Sequence, residues 1–285
     1  MAETFALLAS FFFATSHIFI RRGLVTSNAI TGSFISLALT AITLWILVPF
    51  FVPLSSFGTP ALWYFITGGI FAPGLGRILA YHGIERIGVA RSVPLINTSP
   101  IFASLIAVFL LRESWTLQNV FGTSFVILGI VVLSTSRTER GQWRKVDLIY
   151  PLLSALSFAI SSNLRKFGLV IANLPFMAAA VTSTTALLLA VALLYSQGGP
   201  KRLAVSRQSF GWLFAAGIAN TGSMLCIFYA LSFGKVVTVE PLVSTNPVLT
   251  VLFSAIFLKD LEAITGRVIL GTLCTVVGTV LVVTV

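Results

Sequence analysis

Long runs without charged residues alternate along this chain with short segments that carry charge. Nine such runs occur, and a membrane-spanning helix needs about 20 apolar residues, with a range of roughly 17 to 25. The run over 23–76 is too long for one helix, and the V-P-L-S-S-F-G-T-P segment at 52–60 marks a turn inside it. Nine runs, one of them double, therefore predict ten transmembrane helices joined by short loops.

The ten predicted spans are numbered here in chain order. The first begins close to Met1, but it lacks a basic region before it and a small-residue cleavage site, so we expect a retained helix and not a signal peptide. The spans cover about 4–20, 29–51, 61–81, 92–111, 114–135, 148–164, 174–195, 210–231, 241–258 and 268–285.

The two halves of the chain repeat one plan. Spans 4 and 9 each hold two prolines six residues apart, in P-L-I-N-T-S-P at 94–100 and P-L-V-S-T-N-P at 241–247. G-L-V-T-S-N at 23–28 follows span 1, and G-L-V-I-A-N at 168–173 follows span 6. Spans 5 and 10 also carry aligned glycines. These are Gly122 and Gly129 in span 5, and Gly271 and Gly278 in span 10.

Five spans per repeat is an odd number, so the second copy enters the membrane from the opposite side. The predicted fold is an all-α membrane protein of ten transmembrane helices, arranged as two inverted five-helix repeats. The first repeat covers 1–136, a polar linker covers 137–147, and the second repeat covers 148–285. Such folds place the substrate site near the midplane at the repeat interface and use broken helices there. The proline-containing spans are candidates for these breaks, because a proline removes one backbone donor.

Composition supports a membrane protein and argues against other classes. The 285 residues are 57% hydrophobic and 9% charged, whereas soluble domains carry about 25% charged residues. The net charge of +10 is spread over short loops with no basic stripe, so we expect no nucleic-acid partner. The chain has two histidines and no H-E-x-x-H motif, which argues against a metal site or a membrane enzyme. It also has no Walker motif, which argues against direct use of ATP. We expect no cofactor.

Arg77 and Glu240 are the ionisable residues of greatest interest. A charge at the bilayer centre costs about 2.5–3.5 kcal/mol on insertion scales, so Arg77 is a functional candidate unless it snorkels to the interface. In a cavity, its planar guanidinium suits a carboxylate or a phosphate. Glu240 directly precedes Pro241. It is a candidate for proton coupling or for binding an amino group, and the alternative is an exposed carboxylate or a pair with Lys235.

Polar residues inside apolar spans supply the other candidates for the substrate pathway. His17 and Asn163 occupy nearly equivalent places in the two repeats, although packing roles are the alternative. For most of the others the alternative is hydrogen bonding between helices, and for Tyr81 it is interfacial anchoring. The further candidates are Tyr81, His82, Asn97, Ser99, Asn220, Tyr229, Ser244 and Asn246. The predicted helix breaks are Pro73, Pro94, Pro100, Pro241 and Pro247.

These features resemble the EamA family of the drug/metabolite transporter superfamily over nearly the whole chain. The resemblance rests on two repeats whose fourth helix contains prolines and ends in a basic–acidic pair, Arg112–Glu113 and Lys259–Asp260, before a helix with spaced glycines. It implies a carrier for small molecules, since many members export amino acids or other metabolites and relatives move nucleotide sugars and phosphorylated sugars. The chain departs from the family pattern in lacking the arginine often found in span 2 and in carrying Arg77.

We therefore expect a secondary transporter, not an enzyme, that moves a small polar metabolite by alternating access, with export as its direction. The alternatives are a channel or lipid scramblase of the same architecture, or a membrane-embedded enzyme. The expected partners are a small-molecule substrate and the lipid bilayer, in the plasma membrane. The sequence is compatible with a monomer and with a homodimer. Loop charges place both termini outside, whereas the family resemblance implies both inside.

Overall fold

The computed structural model describes residues 1–53, 58–99, 101–102, 106, 117–135, 144–196, 198–233, 239, 242–243, 245–261 and 264–283. Every regular element within these ranges is helical, and eleven are α-helices. They are α1 (Ala2–Gly23), α2 (Ala29–Phe51), α3 (Ala61–Gly69), α4 (Gly76–Ile87), α5 (Val89–Ile96), α6 (Leu117–Thr135), α7 (Ile149–Ile171), α8 (Pro175–Ser196), α9 (Arg207–Phe233), α10 (Asn246–Phe257) and α11 (Gly266–Val283).

These helices account for the ten predicted spans. A π-helical segment, Ile70–Leu75, joins α3 and α4, which together form span 3, and each of the other helices belongs to one span. Short 3₁₀ turns at Lys145–Leu148 and Gly199–Arg202 lie in the connections before α7 and α9. The all-α class is therefore confirmed.

The length and apolar character of the helices are those of a multi-pass membrane protein. Large apolar side chains point outward, as Ile46 and Phe50 do on α2, where they are 62% and 77% exposed. Such a surface suits contact with lipid tails. Six helical stretches in the described ranges are long and apolar enough to cross a membrane: Ala2–Gly23, Ala29–Phe51, Ala61–Ile87, Lys145–Ile171, Pro175–Ser196 and Arg207–Phe233.

The packing of the helices follows the predicted inverted repeat. Helix α1 packs along α9, and its counterpart α7 packs along α3 and α4. Helix α1 also contacts α10, and α7 contacts α5 in the same way. The pairs α2–α8, α5–α10 and α6–α11 each join equivalent helices of the two repeats. These reciprocal contacts are the ones expected of two inverted repeats related by a pseudo-two-fold axis in the membrane plane.

Glycines bring α6 and α11 into close contact. A Cβ atom added at Gly129 would lie 2.8 Å from the carbonyl oxygen of Gly271, and one added at Gly278 would lie 2.5 Å from that of Gly122. Both distances are too short for a side chain, so these positions bring backbone against backbone. The aligned glycines of spans 5 and 10 therefore meet at one interface.

Two predicted helix ends are wrong. Span 3 was expected to end at Tyr81, but α4 continues to Ile87 and ends at Gly88, whose φ of 82° favours glycine. Span 6 was expected to end at Leu164, but α7 continues to Ile171. Span 6 was expected to end where its charge-free run ends, directly before a charged residue. In α7 that residue, Arg165, donates a hydrogen bond within the protein, and the helix continues past it.

The proline-containing spans are interrupted at corresponding places. Helix α5 contains Pro94 and ends in a turn at Asn97, and α10 begins at Asn246 with Pro247 in its first turn. A proline is tolerated there because the first backbone N–H groups of a helix have no partner within it. The residues of this group that lie outside the described ranges are Pro100, Glu240, Pro241 and Ser244.

Candidate substrate cavity

A cavity of about 140 Å³ lies between the two repeats. Its lining comes from spans 1, 3 and 4 of the first repeat and from spans 6, 8 and 9 of the second. A cavity needs at least roughly 10–15 Å³ to hold one water molecule, so this cavity has room for several waters or one small solute. Its position at the repeat interface is the one that broken-helix transporters use for substrate.

Arg77 lies on the wall of this cavity, far from the end of span 3. It stands ten residues before Ile87, which is about 15 Å along the axis at 1.5 Å per residue. Its side chain is 7% exposed, and its Nη1 donates a hydrogen bond to Ser36 Oγ of α2 at 3.2 Å. The guanidinium therefore points into the protein and does not reach toward the membrane surface.

A polar cluster surrounds the Arg77 guanidinium. The Asn220 amide of α9 donates from Nδ2 to Ser36 Oγ at 3.1 Å and to the Tyr81 hydroxyl at 3.2 Å. All four side chains are buried. Tyr81 is 3% exposed, so the interfacial anchoring considered for it is wrong: the longer α4 places this residue inside the span.

The break in span 3 forms a second part of the wall. Ala72 has non-helical dihedral angles, φ −148° and ψ 124°, so carbonyl groups around it lose their helical partners. Ser161 Oγ of α7 lies 2.8 Å from the Gly68 oxygen and 2.9 Å from the Ala72 oxygen. Arg165 Nη2 also donates to Ala72, and its guanidinium carbon lies 5.5 Å from the centre of the Phe228 ring. Side chains of the second repeat thus satisfy the broken backbone of the first.

Two asparagines join the interrupted spans across the cavity. Asn97 Nδ2 lies 3.3 Å from Asn246 Oδ1, and Asn246 Nδ2 lies 2.8 Å from Asn97 Oδ1. The two side-chain amides therefore form a reciprocal pair. Ser99 and Pro73 line the same cavity. Residues predicted separately in spans 3, 4 and 9 thus meet around one space.

His17 also lines the cavity. Its ring stacks on Phe13, with centroids 6.4 Å apart and an interplanar angle of 17°. Its buried Nδ1 has no hydrogen-bond partner among the described residues. The His17 ring therefore packs one face on Phe13, and its Nδ1 makes no hydrogen bond to a described residue.

Three candidates lie away from the cavity. Asn163 donates to the Ala159 oxygen of its own helix at 3.0 Å, and the side chain one residue earlier, Ser162, lines the cavity instead. His82 faces Glu85, with Nδ1 and Oε2 3.3 Å apart. Tyr229 packs among aromatic rings and is absent from the cavity wall. Its ring neighbours are Phe5, Phe176 and Phe233.

Sequence reasoning missed Arg165, Ser162 and Ser36. Arg165 was assigned to a loop because span 6 was ended too early. The alignment of the repeats contained the missing signal, because pairing Gly168 with Gly23 sets Arg165 opposite Ile20 of α1, and both line the cavity. No comparable signal marks Ser36, one of several hydroxyl residues on α2.

On the side of the cavity where α1 ends, packed side chains and a surface ion pair lie between the cavity and the surface, and this side is called the closed face. Apolar side chains from α1, α4, α5 and α9 pack there with Leu258 and are almost fully buried. At the surface, Arg22 donates from Nη1 and Nη2 to the two Asp260 carboxylate oxygens at 2.6 and 2.9 Å. Its Nη2 also donates to the Phe257 oxygen at 2.6 Å. Arg22 thus ties the end of α1 to the end of α10.

An inverted repeat of broken helices around a polar cavity is an architecture that many membrane transporters share. The sequence model of the EamA-like transporter family matches residues 1–135 and 147–284. The chain belongs to this family, in which two EamA domains cover nearly its whole length, and the resemblance drawn from the sequence is confirmed. It is a family of transporters and not of enzymes.

Other comparisons support the fold alone. No curated protein matches the chain. A solved structure described as "Crystal structure of protein" matches 98% of this chain and 95% of its own, with a TM-score of 0.66 and 16% sequence identity. An identity this low supports a shared architecture and carries no information on substrate.

Proposed function

We propose that this protein moves a small polar metabolite across the membrane by alternating access, with export as the net direction. The observation that carries the proposal is the cavity at the repeat interface, where the buried Arg77 cluster and the Asn97–Asn246 pair face one small space. A charged group inside a membrane protein is costly, and such groups mark substrate or ion pathways. The direction rests on the family resemblance.

The closed face favours a carrier over a channel. Buried apolar side chains and the contact between Arg22 and Asp260 separate the cavity from that surface. A carrier exposes its site to one side at a time, so a cavity that is sealed at one end is what alternating access requires. The pseudo-symmetric packing allows a switch between two such states. The second repeat can form, at the opposite face, the contacts that the first repeat forms at this one.

Counterflow in proteoliposomes tests this proposal. Vesicles are loaded with amino acids, carboxylates, phosphorylated sugars or nucleosides, and uptake of the same labelled solute is followed against protein-free vesicles. We expect at least one class to show saturable uptake that internal solute accelerates. Uptake that rises linearly with concentration and ignores internal solute would indicate a channel. Inside-out vesicles then measure the direction of net movement.

A further inference from the structure

Arg77 is a buried cation whose charge is not balanced by the described part of the chain. Four carboxylates occur there, and each is engaged elsewhere: Glu3 lies beside the N-terminus, Glu85 beside His82, Asp147 caps the turn before α7, and Asp260 binds Arg22. Within the described ranges, the guanidinium has one hydrogen-bond acceptor, Ser36 Oγ. An arginine side chain carries five N–H donors, so four of them have no acceptor among the described residues, and the side chain lines the cavity.

The groups around Arg77 are arranged to receive an acceptor. Ser36 Oγ and the Tyr81 hydroxyl oxygen accept the amide N–H groups of Asn220, so each hydroxyl has its own proton to donate to an incoming acceptor. A carboxylate only accepts hydrogen bonds, and its two oxygens match the planar fork of a guanidinium. An amide or an ammonium group would bring further donors to a region that already has them. We infer that the transported solute is a small monocarboxylate whose carboxylate binds Arg77.

A single negative charge fits this site better than two. Arg165, the other arginine of the cavity wall, already donates to the Ala72 oxygen and lies over the Phe228 ring. The body of the solute would meet mainly apolar side chains, such as Phe13, Phe158 and Ile227. A cavity of about 140 Å³ favours a small body over a large one. The preferred solute therefore combines one carboxylate with a compact, largely apolar body.

Paired probes of equal shape test the charge requirement. Binding of phenylacetate and phenylacetamide, and of butyrate and butyramide, is measured on the purified full-length protein by thermal shift and calorimetry. We expect the carboxylate of at least one pair to raise the melting temperature and its amide to have little effect. Hydrogen bonds to charged groups are strong enough that Arg77→Gln should weaken carboxylate binding about 10- to 100-fold.

Two further variants separate binding from folding. Arg77→Lys keeps the charge but loses the fork, so it should retain part of the affinity that Arg77→Gln loses. Arg91→Gln is the matched control, since Arg91 is also a buried arginine, 7% exposed, whose Nη1 donates to the Ile87 oxygen and which does not line the cavity. We expect carboxylate binding to be unchanged in this control.

Three results would overturn the inference. These are equal binding of carboxylate and amide in both pairs, wild-type affinity in Arg77→Gln, and tighter binding of phenyl phosphate than of phenylacetate. The inference rests on the proposed function, but the two fail separately. Saturable counterflow of a neutral or cationic solute that is unaffected by Arg77→Gln would leave the transporter and exclude the carboxylate. Absence of counterflow for every solute class would instead remove the proposed function.

Discussion

The Ser36 hydroxyl is the point where three side chains from three spans meet. Arg77 Nη1 and Asn220 Nδ2 lie 3.2 and 3.1 Å from its oxygen. Each of these groups is buried, and each lies on a different helix, so the cluster fixes the position of the guanidinium relative to the cavity. The partners that Arg77 has among the described residues are neutral, and we assign its charge to a bound carboxylate.

Changing Asn220 to aspartate should weaken carboxylate binding without unfolding the protein. The new carboxylate would be one hydroxyl group away from the Arg77 guanidinium, and an opposite charge at about 4–6 Å interacts strongly in a buried site. This carboxylate would then neutralise the Arg77 charge in place of a bound solute. We expect the affinity for the carboxylate probes to fall at least about tenfold, by calorimetry, while the melting temperature stays at or above that of the wild type.

Asn163→Asp is the matched control for this change. Asn163 bonds to its own helix and does not line the cavity, so the same substitution there should leave probe binding unchanged. Equal loss of binding in the two variants would contradict the role given to the Arg77 cluster.

At the residue scale, the sequence identified what is chemically unusual and missed what is ordinary. Arg77 could be found because a lone arginine in an apolar span is costly. Its partner Ser36 could not, because α2 has many hydroxyl residues and the rotation of the helix decides which one faces inward. The same reason explains why Asn163 was named and the neighbouring Ser162, which lines the cavity, was not.

The element that shapes the cavity most is the interrupted span 3. Its break exposes carbonyl groups that α7 covers, so the two repeats are joined at a place where backbone hydrogen bonds are missing. A buried carbonyl without a partner costs about 1–3 kcal/mol. The break is therefore stable only while α7 stays against it.

Ser161→Ala should destabilise the protein more than the same change one turn earlier. The substitution removes the hydroxyl beside the Gly68 and Ala72 oxygens, and we expect a loss of about 1–3 kcal/mol, measured as a lower melting temperature in detergent. Ser157→Ala is the control, because Ser157 donates to the Leu153 oxygen of its own helix. Equal effects of the two substitutions would show that the break does not depend on α7.

Gly129→Ala should destabilise the α6–α11 pair. The added Cβ would lie 2.6 Å from Thr275 Cγ2 and 2.8 Å from the Gly271 oxygen, so the helices must separate, at a cost of about 1–3 kcal/mol. Gly211→Ala is the control, since a Cβ there meets nothing within 4 Å. Similar melting temperatures for both variants would contradict the close packing.

The end of a helix was predictable where an apolar run is followed directly by polar residues and glycines. Helix α8 ends at Ser196, next to the expected end at 195, because polar residues and glycines follow it directly. Helix α7 was cut short because a charged residue was read as the end of a span. The sequence does not show that Arg165 donates to the Ala72 oxygen of span 3, in a helix that continues to Ile171.

At the scale of the whole molecule, the number of spans and their inversion could be predicted because they follow from counting. An odd number of spans in each copy fixes the relative orientation, and the pairing of α1 with α9 and of α7 with α3 and α4 agrees with it. Which face is closed could not be predicted. That depends on contacts such as Arg22–Asp260, which join residues 238 positions apart.

Locking the closed face tests the central claim of alternating access most directly. Arg22 and Asp260 are both replaced by cysteine, Cys226 and Cys274 are replaced by alanine, and a reducible bifunctional thiol reagent then links the ends of α1 and α10 in proteoliposomes. Exchange of a transported solute is measured before linking, after linking and after reduction. We expect linking to stop exchange while the solute still binds, and reduction to restore exchange. Undiminished exchange by fully linked protein would contradict the account.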